Sequence, residues 1–237
     1  MDPQVLNHAQ QVAADVMSNV SSEQLDLPTP CDNWNVGQLI DHLVGAQHWA
    51  ASGIRGSEMR DAAGASQGDF NGAFQAAAQD ALDAFSEDGA MERTVNPGFG
   101  DMPATGLLGL AVTDTICHAW DLATATGQDN DLAPELSAQA LAGARHTIPP
   151  AFRTEDGSLF GPEQHAPAGA NNATQQAAFL GRKVYLGVVV LLATVARPLA
   201  GALGRPLRML GTSGVLAREN AMRNPRRTAV TASALVI

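Results

Sequence analysis

With 237 residues, the chain is long enough for one large domain or two small ones, each with a sizeable core. The whole chain has a formal net charge of −10, and residues 1–181 carry 23 acidic and only five basic side chains, which argues against nucleic acid as a partner. Two cysteines are too few for a disulfide framework, so the reducing cytoplasm is the expected location.

Helix signals dominate residues 1–147 and begin at the N-terminus. Asp2 is a capping residue, and Pro3 suits the first position of a helix. Apolar residues at helical spacing follow these two. Asn35 opens a second helix, and Gln38 three residues later completes a capping box.

Three further helices are predicted over about residues 69–85, 105–126 and 134–148. Gly127 is a natural C-terminal stop for the fourth helix. Turn-forming residues prevail in 21–34 and 150–175, where loops are expected, and strand alternation is weak throughout. Four long amphipathic helices predict an all-α fold, a four-helix bundle with an extra helix.

Polar side chains interrupt the apolar stripes of two of these helices. Asp114 and His118 lie four residues apart on the fourth helix, so they share one face, and His42 lies within the stripe of the second helix. Because a buried carboxylate must be paired or bind a metal, the three predict a divalent-metal site in the bundle core. Two histidines and one carboxylate leave open coordination positions, the pattern of catalytic zinc. Asp121 is expected to orient an imidazole from outside the ligand set.

A buried Asp–His ion pair, with His42 as an ordinary core histidine, is an equally supported interpretation, because an Asp-x3-His pair is common by chance. The remaining histidines are expected at the surface or behind the ligands: His8, His48, His146 and His165. The tryptophans are expected to be core anchors: Trp34, Trp49 and Trp120. No Gly-rich phosphate loop, C-x-x-C pair or G-x-S-x-G elbow offers competing chemistry, and no catalytic residue is identified.

Three separated segments of the chain carry recognisable sequence motifs. They read T-P-C-D-N-W-N-V-G-Q-L-I-D-H-L-V-G at 29–45, D-T-I-C-H-A-W-D-L-A-T-A-T-G at 114–127, and F-G-P-E-Q-H-A-P-A at 160–168, the last followed by F-L-G-R at 179–182. In this order they resemble the signatures of the mycothiol-dependent maleylpyruvate isomerase family. The resemblance covers roughly residues 1–182.

The resemblance implies a DinB-like four-helix bundle that binds a divalent metal, often zinc. Matched residue by residue, the ligands are His42, Asp114 and His118. The isomerase itself has glutamate at this position. This chain has Asp114, as the branch that it resembles usually does, so the ligand arm is one methylene shorter. The implied chemistry uses a low-molecular-weight thiol, mycothiol. A metal lowers the pKa of that thiol, and the thiolate adds to an activated double bond or displaces a leaving group.

Residues 183–237 are predicted to be a separate unit that follows the metal-binding domain of residues 1–182. They hold eight of the chain's 14 basic side chains and an apolar run that allows membrane contact through 184–204. Residues 210–237 resemble a segment of FtsX-like ABC transporter permeases, which implies a permease fragment.

Three functions stay open at this point. The first is a metal-dependent, thiol-using isomerase or transferase that acts on a small molecule. The second is a metal-binding module without catalysis. The third is a membrane-associated fusion with a permease fragment. The candidate ligands and the resemblance favour the first.

Overall fold

The structure is a computed structural model, and it describes residues 2–32, 34–154 and 160–184. The α-helices of these residues are α1 Gln4–Ser18, α2 Val36–Arg55, α3 Phe70–Ser86, α4 Ala104–Thr126, α5 Pro134–Thr147 and α6 Asn172–Phe179. Two short strands, β1 Thr94–Val95 and β2 Met102–Pro103, pair antiparallel between α3 and α4.

Local sequence chemistry sets where the long helices begin and end. Asn35 caps α2 by accepting a hydrogen bond from the Gln38 N–H, and the Gln38 side chain accepts one from the Asn35 N–H, so the predicted capping box is present. Asp69 caps α3 through the N–H of Gly72. Gly127 ends α4 in the left-handed conformation with φ of 73°, as its position predicted.

Helices α1 to α4 form the bundle, because α1 and α2 each pack against both α3 and α4. Its core has two apolar clusters, one around Leu6, Ile54, Phe85 and Leu107 and the other around Val16, Leu39, Phe74 and Leu122. Buried Gln47 donates to the Thr115 hydroxyl and accepts from Gln10, which ties α1, α2 and α4 together. The predicted all-α, DinB-like four-helix bundle is confirmed.

Helix α4 departs from the expected amphipathic pattern, since 17 of its 23 residues are buried. The reason is that α5 and α6 cover the face that α1 and α2 leave open. Trp120 on that second face packs against Ala173 and Ala177 of α6. Most residues of α4 are therefore buried, and Asp121, three residues after His118 on the same face, lies fully in the interior.

Two elements lie where the sequence predicted none. Helix α6 begins inside the expected loop of residues 150–175, capped by the Asn171 side chain, which accepts from the Thr174 N–H. Its eight residues are too few to show a clear apolar stripe. The β1–β2 pair is only two residues long on each side, too short for an alternating pattern to register.

The described residues contain no helix that is long and apolar enough to cross a membrane. Apart from Val184, the apolar run 184–204 and the permease-like segment 210–237 lie outside the described residues. The tail, its membrane contact and the domain boundary at residue 182 therefore stay predictions.

Candidate metal centre

Helices α2 and α4 bring His42, Asp114 and His118 together at one point of the bundle. The Asp114 Oδ1 atom lies 3.4 Å from His42 Nε2 and 3.4 Å from His118 Nε2. The three ligand atoms all lie within 4.8 Å of one another. Asp114 and His118 occupy successive turns of α4, and His42 reaches across from the facing helix.

The spacing of these atoms fits a divalent metal. Zinc bonds to nitrogen and oxygen are about 2.0–2.2 Å long, so two ligands of a tetrahedral ion lie about 3.4 Å apart. The Oδ2 atom of Asp114 is buried and has no hydrogen-bond partner among the described residues. An unpartnered buried carboxylate oxygen costs free energy, and a cation bound by the carboxylate would relieve that cost.

The second nitrogen of His118 is held by a buried ion pair. His118 Nδ1 lies 3.0 Å from Asp121 Oδ2, and Asp121 is fully buried. Arg182 donates to the same oxygen from Nε at 3.1 Å and from Nη2 at 3.0 Å. Because the carboxylate favours a proton on Nδ1, Nε2, which faces Asp114 and His42, is the nitrogen that would give up its proton to bind a metal.

The charges of this cluster are strongly coupled. Burial opposes the ionisation of Asp114, but His118 and His42 outweigh it and hold the pKa of Asp114 well below its usual range. Burial likewise disfavours a protonated His118, yet Asp114 and Asp121 hold its pKa well above the ordinary value. Burial raises the pKa of Asp121, and Arg182 and His118 reverse this and lower it. Without a metal, the site is therefore a compact ionic cluster with a proton on His118.

Arg182 reaches this site through a close approach of two backbone segments. Gly181 has φ of 95°, and a Cβ there would lie 2.6 Å from the Gly161 Cα. Arg153 stabilises the same junction by donating to the carbonyls of Gly161 and Phe179. The sequence singled out the F-L-G-R segment as a motif but gave Arg182 no role.

Cys31 is a second residue that the sequence did not assign. Its Sγ lies 3.3 Å from Asp121 Oδ2 and 4.0 Å from His118 Nδ1, so Cys31, His118 and Asp121 form another possible ligand group. Arg182 Nη2 lies 3.4 Å from His118 Nδ1, and this permanent cation disfavours a metal there. Burial and then Asp121 raise the pKa of Cys31, so its thiol stays protonated and donates to the carboxylate.

The tryptophans have three different surroundings. Trp120 is buried, as expected of a core anchor. The half-buried Trp34 lies over the candidate ligands, with ring centroids 4.5 Å from His42 and 5.6 Å from His118. Trp49 lines a cavity of about 410 Å³ that also touches Asp114 and His118. Of the other histidines, His48 is half-buried and the remaining three are exposed: His8, His146 and His165.

Comparison with known proteins agrees with the predicted bundle. Residues 6–123, which include His42 and the Asp114–Asp121 segment, match the family model of the mycothiol maleylpyruvate isomerase N-terminal domain. Two proteins from strains of Mycobacterium tuberculosis, both described as uncharacterized, are each 41% identical over 189 residues, which cover 78% of this chain and 100% of each relative. No solved structure matches the chain. The chain belongs to the mycothiol maleylpyruvate isomerase N-terminal domain family.

Proposed function

We propose that this protein binds one divalent metal, zinc by preference, through His42, Asp114 and His118, and that it uses mycothiol as an isomerase or transferase on a small molecule. The observation that carries the proposal is the fit of the ligand atoms. Two 3.4 Å separations match tetrahedral zinc, and a buried Asp114 oxygen lacks a partner among the described residues.

A metal held at this site supplies a Lewis acid that lowers the pKa of a bound thiol towards neutral pH. The protein's own residues prepare the position. Asp114 contributes a negative charge, while Asp121 and Arg182 fix the orientation of His118. The ring of Trp34 packs against both imidazoles and limits how they can move. Three protein ligands leave a coordination position for a thiol.

The cavity beside the ligands favours catalysis over a purely metal-binding role. It has room for a small molecule and is lined by Asp114 and His118 themselves. A metal-binding module without catalysis needs no such space next to the ligands. Asp114 stands where the isomerase has glutamate. Whether the reaction is an isomerisation or a transfer is therefore set by the substrate that binds in this cavity.

The first test is the metal content of the purified full-length protein. We expect about one zinc per chain in the wild type and a large loss in His118→Ala, since three ligands are needed to hold the ion. His165→Ala is the matched control because His165 is exposed and outside the site. Metal-free wild type after incubation with excess zinc and desalting would refute the proposal.

The second test asks whether a thiol reaches the metal. Cobalt replaces zinc, and mycothiol is added while the cobalt absorption is recorded. We expect a new sulfur-to-cobalt charge-transfer band. The Cys31→Ser variant is tested alongside, because Cys31 Sγ is 4.0 Å from His118 Nδ1 and could itself produce a sulfur-to-cobalt band. The band must therefore also appear in this variant. A cobalt spectrum that mycothiol leaves unchanged would reduce the protein to a metal-binding module.

A further inference from the structure

The cavity beside the candidate ligands is polar at one end and hydrocarbon elsewhere. Its volume of about 410 Å³ lies within the range of small-molecule sites. Asp114, His118 and Arg182 line the polar end. The wall formed by the described residues is mainly aromatic and aliphatic and includes Trp49, Phe99, Leu110, Ile148, Phe152 and Phe160.

Two of these wall residues remain exposed to solvent. Phe99 is 50% exposed and Phe152 is 39% exposed. Together with Met59 they are the exposed large apolar side chains of the described residues, so two of the three border one cavity. Exposed aromatic side chains grouped around a concave site mark a surface that a ligand covers, because their contact with water is unfavourable.

The position of Phe99 is fixed by its neighbours. The Trp49 indole N–H donates to the Pro97 carbonyl at 3.0 Å, which fastens the β1–β2 loop to helix α2. The rings of Trp49 and Phe99 are stacked, with centroids 6.3 Å apart and planes 23° apart. Gly98 and Gly100 on either side of Phe99 have φ of 110° and 127°, which lets the loop make this turn. The aromatic wall is thus part of the fold.

Without a metal, the charge at the polar end does not suit a small dianion. Arg182 is paired with the buried Asp121. His118 lies between the carboxylates of Asp114 and Asp121. Asp114 adds a negative charge at the same end. In the metal-free protein, a dicarboxylate would have to leave water without an unpaired cation to receive it, which is unfavourable.

We propose that this cavity binds the hydrocarbon body of the substrate, an aromatic or branched aliphatic group, and directs the reacting end towards Asp114 and His118. The chemistry at the reacting end rests on the metal and thiol function proposed above. Recognition of the hydrocarbon body depends only on the wall, and it can be measured with and without metal.

The test is calorimetric titration of the full-length protein with two probes, naphthalene-2-carboxylate and maleate. Each is titrated after chelator treatment and again after loading with zinc. We expect naphthalene-2-carboxylate to bind at least about tenfold more tightly than maleate in both states, because its rings bury apolar area that maleate lacks. Phe99→Ser and Leu110→Gln should each weaken it about threefold to tenfold. Met59→Ser, at a similarly exposed apolar residue outside the cavity, should change it less than about twofold.

The outcomes separate this proposal from the proposed function. Maleate binding as tight as that of naphthalene-2-carboxylate, or an unchanged affinity in both cavity variants, overturns the cavity assignment even if zinc and mycothiol bind. Phe99→Ser changes an exposed loop residue, so a misfolded Leu110→Gln still leaves a decisive variant. A wild type that binds naphthalene-2-carboxylate, with the expected losses in Phe99→Ser and Leu110→Gln, can still fail the zinc and thiol tests. That result supports the cavity assignment and refutes the proposed metal chemistry.

Discussion

His118 is the residue on which the site depends, because both of its ring nitrogens are engaged. Nε2 faces Asp114, and Nδ1 faces Asp121, which Arg182 holds in turn. This series of contacts runs from the segment after α6, through the interior, to the candidate ligands. A substitution at Arg182 should therefore affect how His118 is held, although Arg182 itself is not a proposed ligand.

Replacement of Arg182 by methionine removes the cation and leaves the fully buried Asp121 without its main partner. We expect a loss of about 3–5 kcal/mol in the free energy of unfolding and a zinc affinity about 10–100-fold lower. Chemical denaturation and competition with a chelator measure the two effects. Lys183→Met is the control, because the Lys183–Asp32 pair is exposed and worth about 1 kcal/mol or less. Equal effects of the two substitutions would contradict the role given to Arg182.

The raised pKa of His118 predicts the pH dependence of the metal-free protein. A group whose pKa is higher in the folded state stabilises the fold fully below its unfolded pKa, which is about 6.5 for histidine. That contribution is lost as the pH rises through the higher folded pKa. Chelator-treated protein should therefore become less stable as the pH is raised from about 6.5, as measured by urea denaturation at a series of pH values.

His118→Gln serves as the comparison, because glutamine keeps hydrogen-bonding capacity but does not titrate. Its stability should vary less over the same pH range. An identical slope in both proteins would show that His118 is not the group responsible.

The residues that sequence spacing could find are those on a regular helix. Asp114 and His118 share a face through their i,i+4 spacing, and His42 interrupts an apolar stripe, so each stood out locally. Arg182 and Cys31 could not be found in this way. Each meets Asp121 across 60 or more residues of chain, and no local period encodes such a contact.

At the scale of elements, caps and breakers located the long helices within one or two residues. The capping box at Asn35 and the left-handed Gly127 are local effects that need no tertiary partner. Helix α6 is different, since its place is set by packing on α4 and α5. The burial of α4 on both faces follows from that packing. The sequence predicted an amphipathic α4 with one apolar face, and for this helix that prediction was wrong.

The contact between Gly181 and Gly161 is the element-scale feature that positions Arg182. Gly181→Ala introduces a Cβ that meets the Gly161 Cα at 2.6 Å, and it strains a φ of 95°. We expect a loss of about 2–4 kcal/mol, of which about 1–2 kcal/mol is backbone strain. Weaker zinc binding should accompany the loss, because Arg182 is displaced. Thermal denaturation and chelator competition measure both.

Gly169→Ala is the matched control for Gly181. Gly169 also has a positive φ, 78°, but a Cβ there meets nothing within 4 Å. It should cost only the backbone strain of about 1–2 kcal/mol and leave zinc affinity unchanged. If the two alanine variants behave alike, the close approach of the two segments does not position Arg182.

At the scale of the whole molecule, a metal at this site would join helices that are distant in sequence. His42 lies on α2 and Asp114 on α4, 72 residues apart. The unfolded chain does not hold such a site together, so the free energy of metal binding adds to that of folding. The bundle does not depend on the metal alone, because its two apolar clusters pack without it.

Zinc should therefore raise the thermal stability of the full-length protein. At a free concentration of about 100 times its Kd, a ligand bound only by the folded state adds about 2.7 kcal/mol, which for a chain of this size raises Tm by roughly 5–10 °C. Scanning calorimetry with zinc and with a chelator measures the difference. His42→Ala should abolish it, because α2 then contributes no ligand, whereas the exposed His165→Ala should retain it. A zinc-dependent Tm shift of normal size in His42→Ala would place the metal elsewhere, with Cys31, His118 and Asp121 as the next group to test.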